Sequence, residues 1–205
     1  MPKRGYHHGN LRQALIDAAF RLIEIKGPTG FTLSEAAKQA GVTPAAVYRH
    51  FEGREDLIAE AARQGYEIFA DLMEFAFESG QPSALASFDA TGRAYLAFAR
   101  KYPGHYVAMF ESGISINRTP DLALAANRAS AVLEKAAAAL SEHIPPDKRP
   151  PAAMFSAHVW AMSHGVVELF ARGPDGSRSQ FSPEDLLESG IGIYLRGLGL
   201  VPGDN

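Results

Sequence analysis

The sequence predicts an all-α protein of about nine helices, a small three-helix domain carrying a helix-turn-helix followed by a larger helical domain. Three observations lead there. Apolar residues recur at spacings of three and four through nearly the whole chain, the period of one buried helix face. The periodic segments are separated by short runs rich in glycine and proline, such as KGPTG, YPG and IPPDKRPP, which stop helices. No stretch alternates strongly enough to demand a strand, and no internal repeat is present.

The first helix follows from Leu11, Leu15, Ala18, Ala19, Leu22 and Ile23, with Asn10 placed to cap it and the glycines and proline of Lys26 to Gly30 to end it. Thr32 followed by Glu35 is a capping box, in which each side chain satisfies the other residue's backbone donor at a helix start. Leu33, Ala36, Ala37 and Ala40 then mark a short second helix with a narrow face, ended by Gly41 in the left-handed position. Thr43 is placed to cap a third helix with Pro44 at its first position, where a missing N–H costs nothing. Two helices of about two turns joined by Gly41-Val42-Thr43 have the spacing of a helix-turn-helix. A long fourth helix starts near Arg54, on the pattern Leu57, Ile58, Ala61, Ala62, Ile68, Phe69, Leu72, Met73 and Phe75. Further helices are expected at about 84–101, 104–112, 120–143, 152–172 and 183–197. The expected division is residues 1–53 for the small domain with an N-terminal arm and 54–205 for the larger one.

Composition bounds the function. A chain of 205 residues with 46% hydrophobic and 21% charged residues buries a substantial core. It has no cysteine, which excludes disulfides, thiolate metal sites and a cysteine nucleophile and fits a reducing cytoplasm. Arg12, Asp17 and Arg21 interrupt what would be the apolar part of a signal peptide. The apolar stretch AHVWAMSHGVVELFA carries His158, His164 and Glu168 and is shorter than the ~20 residues a membrane span needs. A cytoplasmic protein without a membrane partner is therefore expected. The net charge of −3 hides a split, because residues 1–54 hold eight Lys or Arg against four acids while the remainder is acidic. A basic first quarter presents a local positive face on an acidic body.

Wrapped on a helix, residues 42–51 turn Val42, Val47 and Phe51 inward and Thr43, Pro44, Ala45, Ala46, Tyr48, Arg49 and His50 outward. Tyrosine, arginine and histidine in sequence supply donors for phosphate oxygens. The small residues before them let a helix approach base edges in a major groove, where Ala45 and Ala46 offer apolar contact to a thymine methyl. Plainer roles compete: Tyr48 as packing, His50 as a helix-end group meeting carbonyls, Thr32 as a cap alone. His7 and His8, adjacent and without a third ligand, make a poor metal site. Two readings of PKRGYHHGN stand side by side, a flexible arm lying near the DNA backbone and a plainly disordered segment. No cofactor or metal is called for.

The run FTLSEAAKQAGVTPAAVYRHFEGREDLIAEA resembles the N-terminal DNA-binding domain of the tetracycline-repressor (TetR) family of bacterial transcription regulators, most specifically in TPAAVYRHF followed by GREDL. That resemblance implies phosphate contacts from Thr32, Ser34, Tyr48, His50 and Arg54, base contacts from Thr43 to Ala46, and either a guanine or a phosphate for Arg49. It also implies an effector-binding and dimerisation role for the larger domain. YPGHYVAMF and the Trp160, His164-Gly165 pairing resemble the branch whose C-terminal domain type is named for Trp, His and Gly. Tyr95, His105, Met109, Trp160 and His164 are the expected pocket residues, since an apolar pocket with a few polar groups is how small-molecule sites are made. The last two long helices are the expected homodimer interface. The expected partners are thus a palindromic double-stranded operator, a small-molecule effector and a second copy of the chain, with release of the operator by the effector. One competing reading is a similar DNA binder acting architecturally or through a protein partner, without a small ligand. A hydrolytic enzyme finds no support, since neither a G-x-S-x-G elbow nor an H-E-x-x-H pair occurs.

Overall fold

The computed structural model describes residues 11–171 and 179–201, all of them in helices, turns and loops. The elements are α1 (Leu11–Lys26), α2 (Leu33–Ala40), α3 (Pro44–Val47), α4 (Arg54–Ser79), α5 (Ala84–Lys101), α6 (Pro103–Phe110), α7 (Pro120–Ser141), α8 (Ala152–Val166) and α9 (Pro183–Gly197). A short 3₁₀ turn, Ile116–Arg118, precedes α7. A π-helical turn, Val167–Ala171, continues α8 where one regular helix was expected. The cap expected at Asn10 and the arm with His7 and His8 lie outside the described residues.

Packing divides the chain into two units. The first runs from the first described residue to Tyr66 and includes Pro103–Ala126; the second holds Glu67–Tyr102 and the chain from Asn127 onward. The packing units thus cut the chain differently from the functional division expected at residue 53, because α6 packs on α1.

In the first unit α1 buries Leu15, Ile16, Ala18, Ala19, Phe20, Leu22 and Ile23. Against it lies the small face of α2, Leu33, Ala36 and Ala37. The capping box is complete: Thr32 Oγ1 accepts from the Glu35 amide (3.2 Å) and the Glu35 carboxylate accepts from the Thr32 amide (2.9 Å). Gly41 closes the helix at φ 74°, a left-handed conformation that favours glycine, and the Val42 amide reaches back to the Ala37 carbonyl at 2.9 Å. Thr32→Ala is expected to cost about 1 kcal/mol of unfolding free energy, read as a lower urea midpoint at unchanged slope.

The third helix differs from expectation in two ways. Its regular part is one turn, not two, although the Phe51 amide still bonds the Val47 carbonyl (3.0 Å), so the chain keeps curling through Tyr48–His50. Thr43 stands at the cap position with extended backbone, but its hydroxyl makes no cap hydrogen bond; Pro44 occupies the first helical position as expected. Val47 and Phe51 are buried, whereas Val42 is only half-buried. α6 comes close to α1, where the Gly104 amide donates to Glu24 Oε1 (3.1 Å) and a Cβ at Gly104 would lie 2.8 Å from the Phe20 carbonyl oxygen. Glycine is required there for the approach itself.

In the second unit α5, α8, the π turn and α9 pack on one another. Phe69 meets Tyr95 edge-on (5.2 Å between centroids) and Phe98 (4.9 Å), while Phe88 stacks on Phe155. Arg149 holds the end of α7 by donating to the carbonyls of Glu142 (3.0 Å) and Ile144 (2.8 Å). Phe75, counted in the apolar pattern of α4, is exposed.

Candidate functional site

The first candidate surface is the outward side of the helix-turn-helix. Tyr48 is 61% exposed although it adjoins Val47, which is fully buried. Arg49 and His50 are exposed too, as are Ser34, Thr43, Pro44 and Ala45; Ala46 is half-buried. The fold therefore gathers nine of the expected contact residues on α2, α3 and the turn after α3. Two expected roles change in detail. Thr32 is occupied, its amide and hydroxyl both donating to the Glu35 carboxylate, which also pairs with Lys26. The donors left at this helix start are the Leu33 and Ser34 amides and the Ser34 hydroxyl. Arg54 is tied inward: its Nη1 donates to the carbonyls of Thr29 (2.8 Å) and Phe31 (3.4 Å), and its Nε is buried without a partner. A guanidinium fits two carbonyls of a tight loop, so this residue fastens the start of α4 to the α1–α2 connection and does not project outward.

The local positive charge is also narrower than the sequence count. Arg12 pairs with Glu60 and lies over the Phe51 ring, and Lys26 pairs with Glu35. Lys38 on α2 and Arg49 in the turn after α3 remain as exposed cations that hold no ion pair among the described residues. Sequence reasoning passed over Lys38, because Glu35 stands three residues before it; only the structure shows that carboxylate taken by Lys26 and Thr32.

The second candidate is a cavity of about 430 Å³ inside the second unit. Its walls come from α5, α8 and α9 and from Met73, Leu133, Ala136 and Ala137. Tyr95 and Trp160 line it; His164, placed in the pocket by the sequence reading, is not among its lining residues and meets it through the Tyr95 hydroxyl. Tyr95, 1% exposed, is hydrogen-bonded through its hydroxyl to His164 Nδ1 (2.9 Å), and Trp160 Nε1–H donates to the same oxygen (3.3 Å). The i, i+4 spacing of Trp160 and His164 puts both on one face of α8, where one tyrosine oxygen joins them.

His105 and Met109 do not belong to that cavity. Both sit on α6 in the first unit, where the His105 ring stacks on Phe20 (3.6 Å between centroids) and Met109 is buried beside Gly65, the missing Cβ leaving room for its sulfur. Helical periodicity places residues on a face but does not say which helix covers that face. Burial lowers the His105 pKa to about 4, against a smaller upward pull from Asp17, so the ring is neutral at pH 7. A folded value below the unfolded 6.5 means the contribution is complete above pH 6.5 and is lost as pH falls toward 4. The expected loss over that window is about 1–3 kcal/mol, discounted for partial exposure. Urea unfolding followed at several pH values checks it, and His105→Phe is expected to remove this part of the pH dependence.

A three-helix unit with a completed cap, a left-handed glycine turn and an outward tyrosine, arginine and histidine on its second turn-linked helix is a helix-turn-helix DNA-binding domain. The family model described as "Bacterial regulatory proteins, tetR family" matches residues 15–61. The model described as "Tetracyclin repressor-like, C-terminal domain" matches residues 88–194, just over half of the chain. The chain belongs to the tetracycline-repressor family of bacterial transcription regulators. It is 30% identical over 101 residues to the uncharacterized HTH-type transcriptional regulator YobS of Bacillus subtilis, a stretch that is 49% of this chain and 51% of that protein. The match thus spans about half the length of that relative. Among solved structures, a protein of unknown function from Rhodococcus sp. RHA1 superposes with a TM-score of 0.79 at 24% identity, over 96% of this chain and 99% of its own. AibR, solved with isovaleryl coenzyme A and operator DNA, superposes with a TM-score of 0.67 at 18% identity, over 89% and 97%. These likenesses show the fold. No described helix is long and apolar enough to cross a membrane.

Proposed function

We propose that the protein is a homodimeric repressor that binds a palindromic operator and releases it when a small molecule fills the cavity of the second unit. The observation that carries the reading is the two-sided stretch from α3 through the turn after it, with Val47 and Phe51 buried and Tyr48, Arg49 and His50 exposed. Thr43 to Ala46 meet base edges, Thr43 with a hydroxyl that no cap bond occupies. Tyr48 and His50 hold phosphates, as do Ser34 and the open amides of α2, while Thr32 serves as their cap. Arg49 and Lys38 supply the positive charge that phosphate affinity requires.

Two recognition helices must reach half-sites about 34 Å apart or a multiple of it, which needs a dimer. α8 and α9 supply the face for it. Met154 and Ile193 are exposed on them, Ile193 at 63%. Gly190 and Gly197 have open space where a Cβ would point, although each glycine costs a helix about 1 kcal/mol relative to alanine. An opposing helix filling that space offsets the cost. α4 contributes residues to both units, so the chain couples reader and cavity directly. The effector releases DNA by binding the non-reading conformation better, a coupling of about 1–3 kcal/mol.

The test is gel retardation by the purified protein on DNA from its own upstream region, with sedimentation to give the oligomeric state. Retardation that weakens steeply with salt, together with a dimer that Ile193→Lys converts to monomer, supports the reading. No retardation of that DNA, or retardation by a monomer as strong as by the dimer, overturns it.

A further inference from the structure

We propose that the cavity of the second unit takes a lipophilic cation, its apolar body held among aromatic and aliphatic walls and its charge beside Glu188. This rests on the reading of that cavity as the effector site.

The walls leave little for a polar ligand to bond. Phe88, Leu96, Leu133, Trp160, Leu187 and Leu195 dominate them. Two of the hydroxyls inside are committed to helix carbonyls, Thr91 to Ser87 (2.7 Å) and Ser163 to Val159 (3.0 Å), while Ser83 caps α5 by accepting from the Ala86 amide (3.2 Å). Tyr95 is committed to His164 and Trp160. Burying a polar group without a partner is costly, so the body of a well-bound ligand is apolar.

The charges decide the rest. The lining carries three carboxylates, Asp89, Glu184 and Glu188, against one cation, Arg93. Arg93 is already spent on Asp89, its Nε lying 3.0 Å from Oδ2 with a second contact through Nη2. Glu184 is paired with Arg100. Glu188 is exposed and in no ion pair among the described residues, although it lies near enough to Arg93 to reinforce its positive charge. A carboxylate or phosphate entering here meets an excess of negative charge and a cation whose charge is already answered. A cation meets Glu188, which holds no ion pair among the described residues, and the Trp160 ring, which attracts positive charge through its quadrupole.

Trp160 is the chain's one tryptophan, so its fluorescence reports occupancy of the cavity. The full chain is titrated with decyltrimethylammonium, decanol and decanoate, three probes with one tail and different charge, below their micellar concentrations at neutral pH, and calorimetry confirms each binding curve. The ammonium is expected to bind about five- to tenfold more tightly than the alcohol, as befits a solvent-exposed partner, and the carboxylate more weakly than the alcohol. Raising ionic strength to about 1 M narrows the spread. Glu188→Gln, an exposed substitution, removes the larger part of the ammonium's advantage over the alcohol, leaving what the Trp160 ring supplies, and leaves the alcohol unchanged. Decanoate binding as tightly as the ammonium, or an ammonium preference that Glu188→Gln leaves undiminished, overturns the inference while the effector-site reading stands. Absence of any response to all three probes overturns the effector-site reading itself, and this inference with it.

Discussion

Tyr48→Ala is expected to weaken operator binding by about a hundredfold or more while leaving the folded protein as stable as before. A hydrogen bond to a charged group contributes about 1.5–3 kcal/mol, a dimer loses one in each recognition helix, and each 1.4 kcal/mol is about tenfold in affinity. Because Tyr48 is largely exposed, the change in unfolding free energy is expected to stay within about 0.5 kcal/mol. Fluorescence anisotropy with labelled operator reads the first quantity and urea unfolding the second. Unchanged affinity would mean that another face of the first unit reads DNA.

Phe51→Ala, three residues along the same segment, has the opposite profile. Phe51 is 2% exposed and carries the Arg12 guanidinium 5.3 Å above its ring. Truncating it leaves a cavity in the three-helix core and is expected to cost about 3–5 kcal/mol, a large share of the ~5–15 kcal/mol that holds a typical domain. The urea midpoint falls accordingly, and operator binding is lost through unfolding, so stabilising conditions recover it for this variant and not for Tyr48→Ala. A loss under about 1 kcal/mol would show that Phe51 is not a core anchor.

The parts of the fold that were legible are those whose causes are local. Thr32 and Glu35 sit three residues apart and satisfy each other's backbone within one turn, and Gly41 adopts the conformation that glycine permits. Pro44 opens a helix that needs no amide at that position. The bounds of α5 and α9 agree with the breakers that flank them. Thr43 shows where a local rule stops: its backbone takes the cap geometry, yet its hydroxyl is left over.

The cavity was legible only in part. Trp160 and His164 lie together because their spacing is one helical turn, but their junction through Tyr95, 65 and 69 residues away, needs α5 and α8 side by side. His105 and Met109 carried the same aromatic and methionine signal and ended in the other unit, since α6 lies on α1 through the Gly104 approach. Arg54 carried a plausible phosphate signal and was claimed by two loop carbonyls.

Alone, the sequence determined the helical class, the reading helix with its buried and exposed sides, and the family. Those depend on residue spacing and on backbone donors answered within a few positions. Only the tertiary structure decided which cations and which cavity carboxylate hold no ion pair among the described residues, and which aromatics share a cavity. Such outcomes depend on contacts between residues distant in the chain, and no period along one helix records what its face will meet.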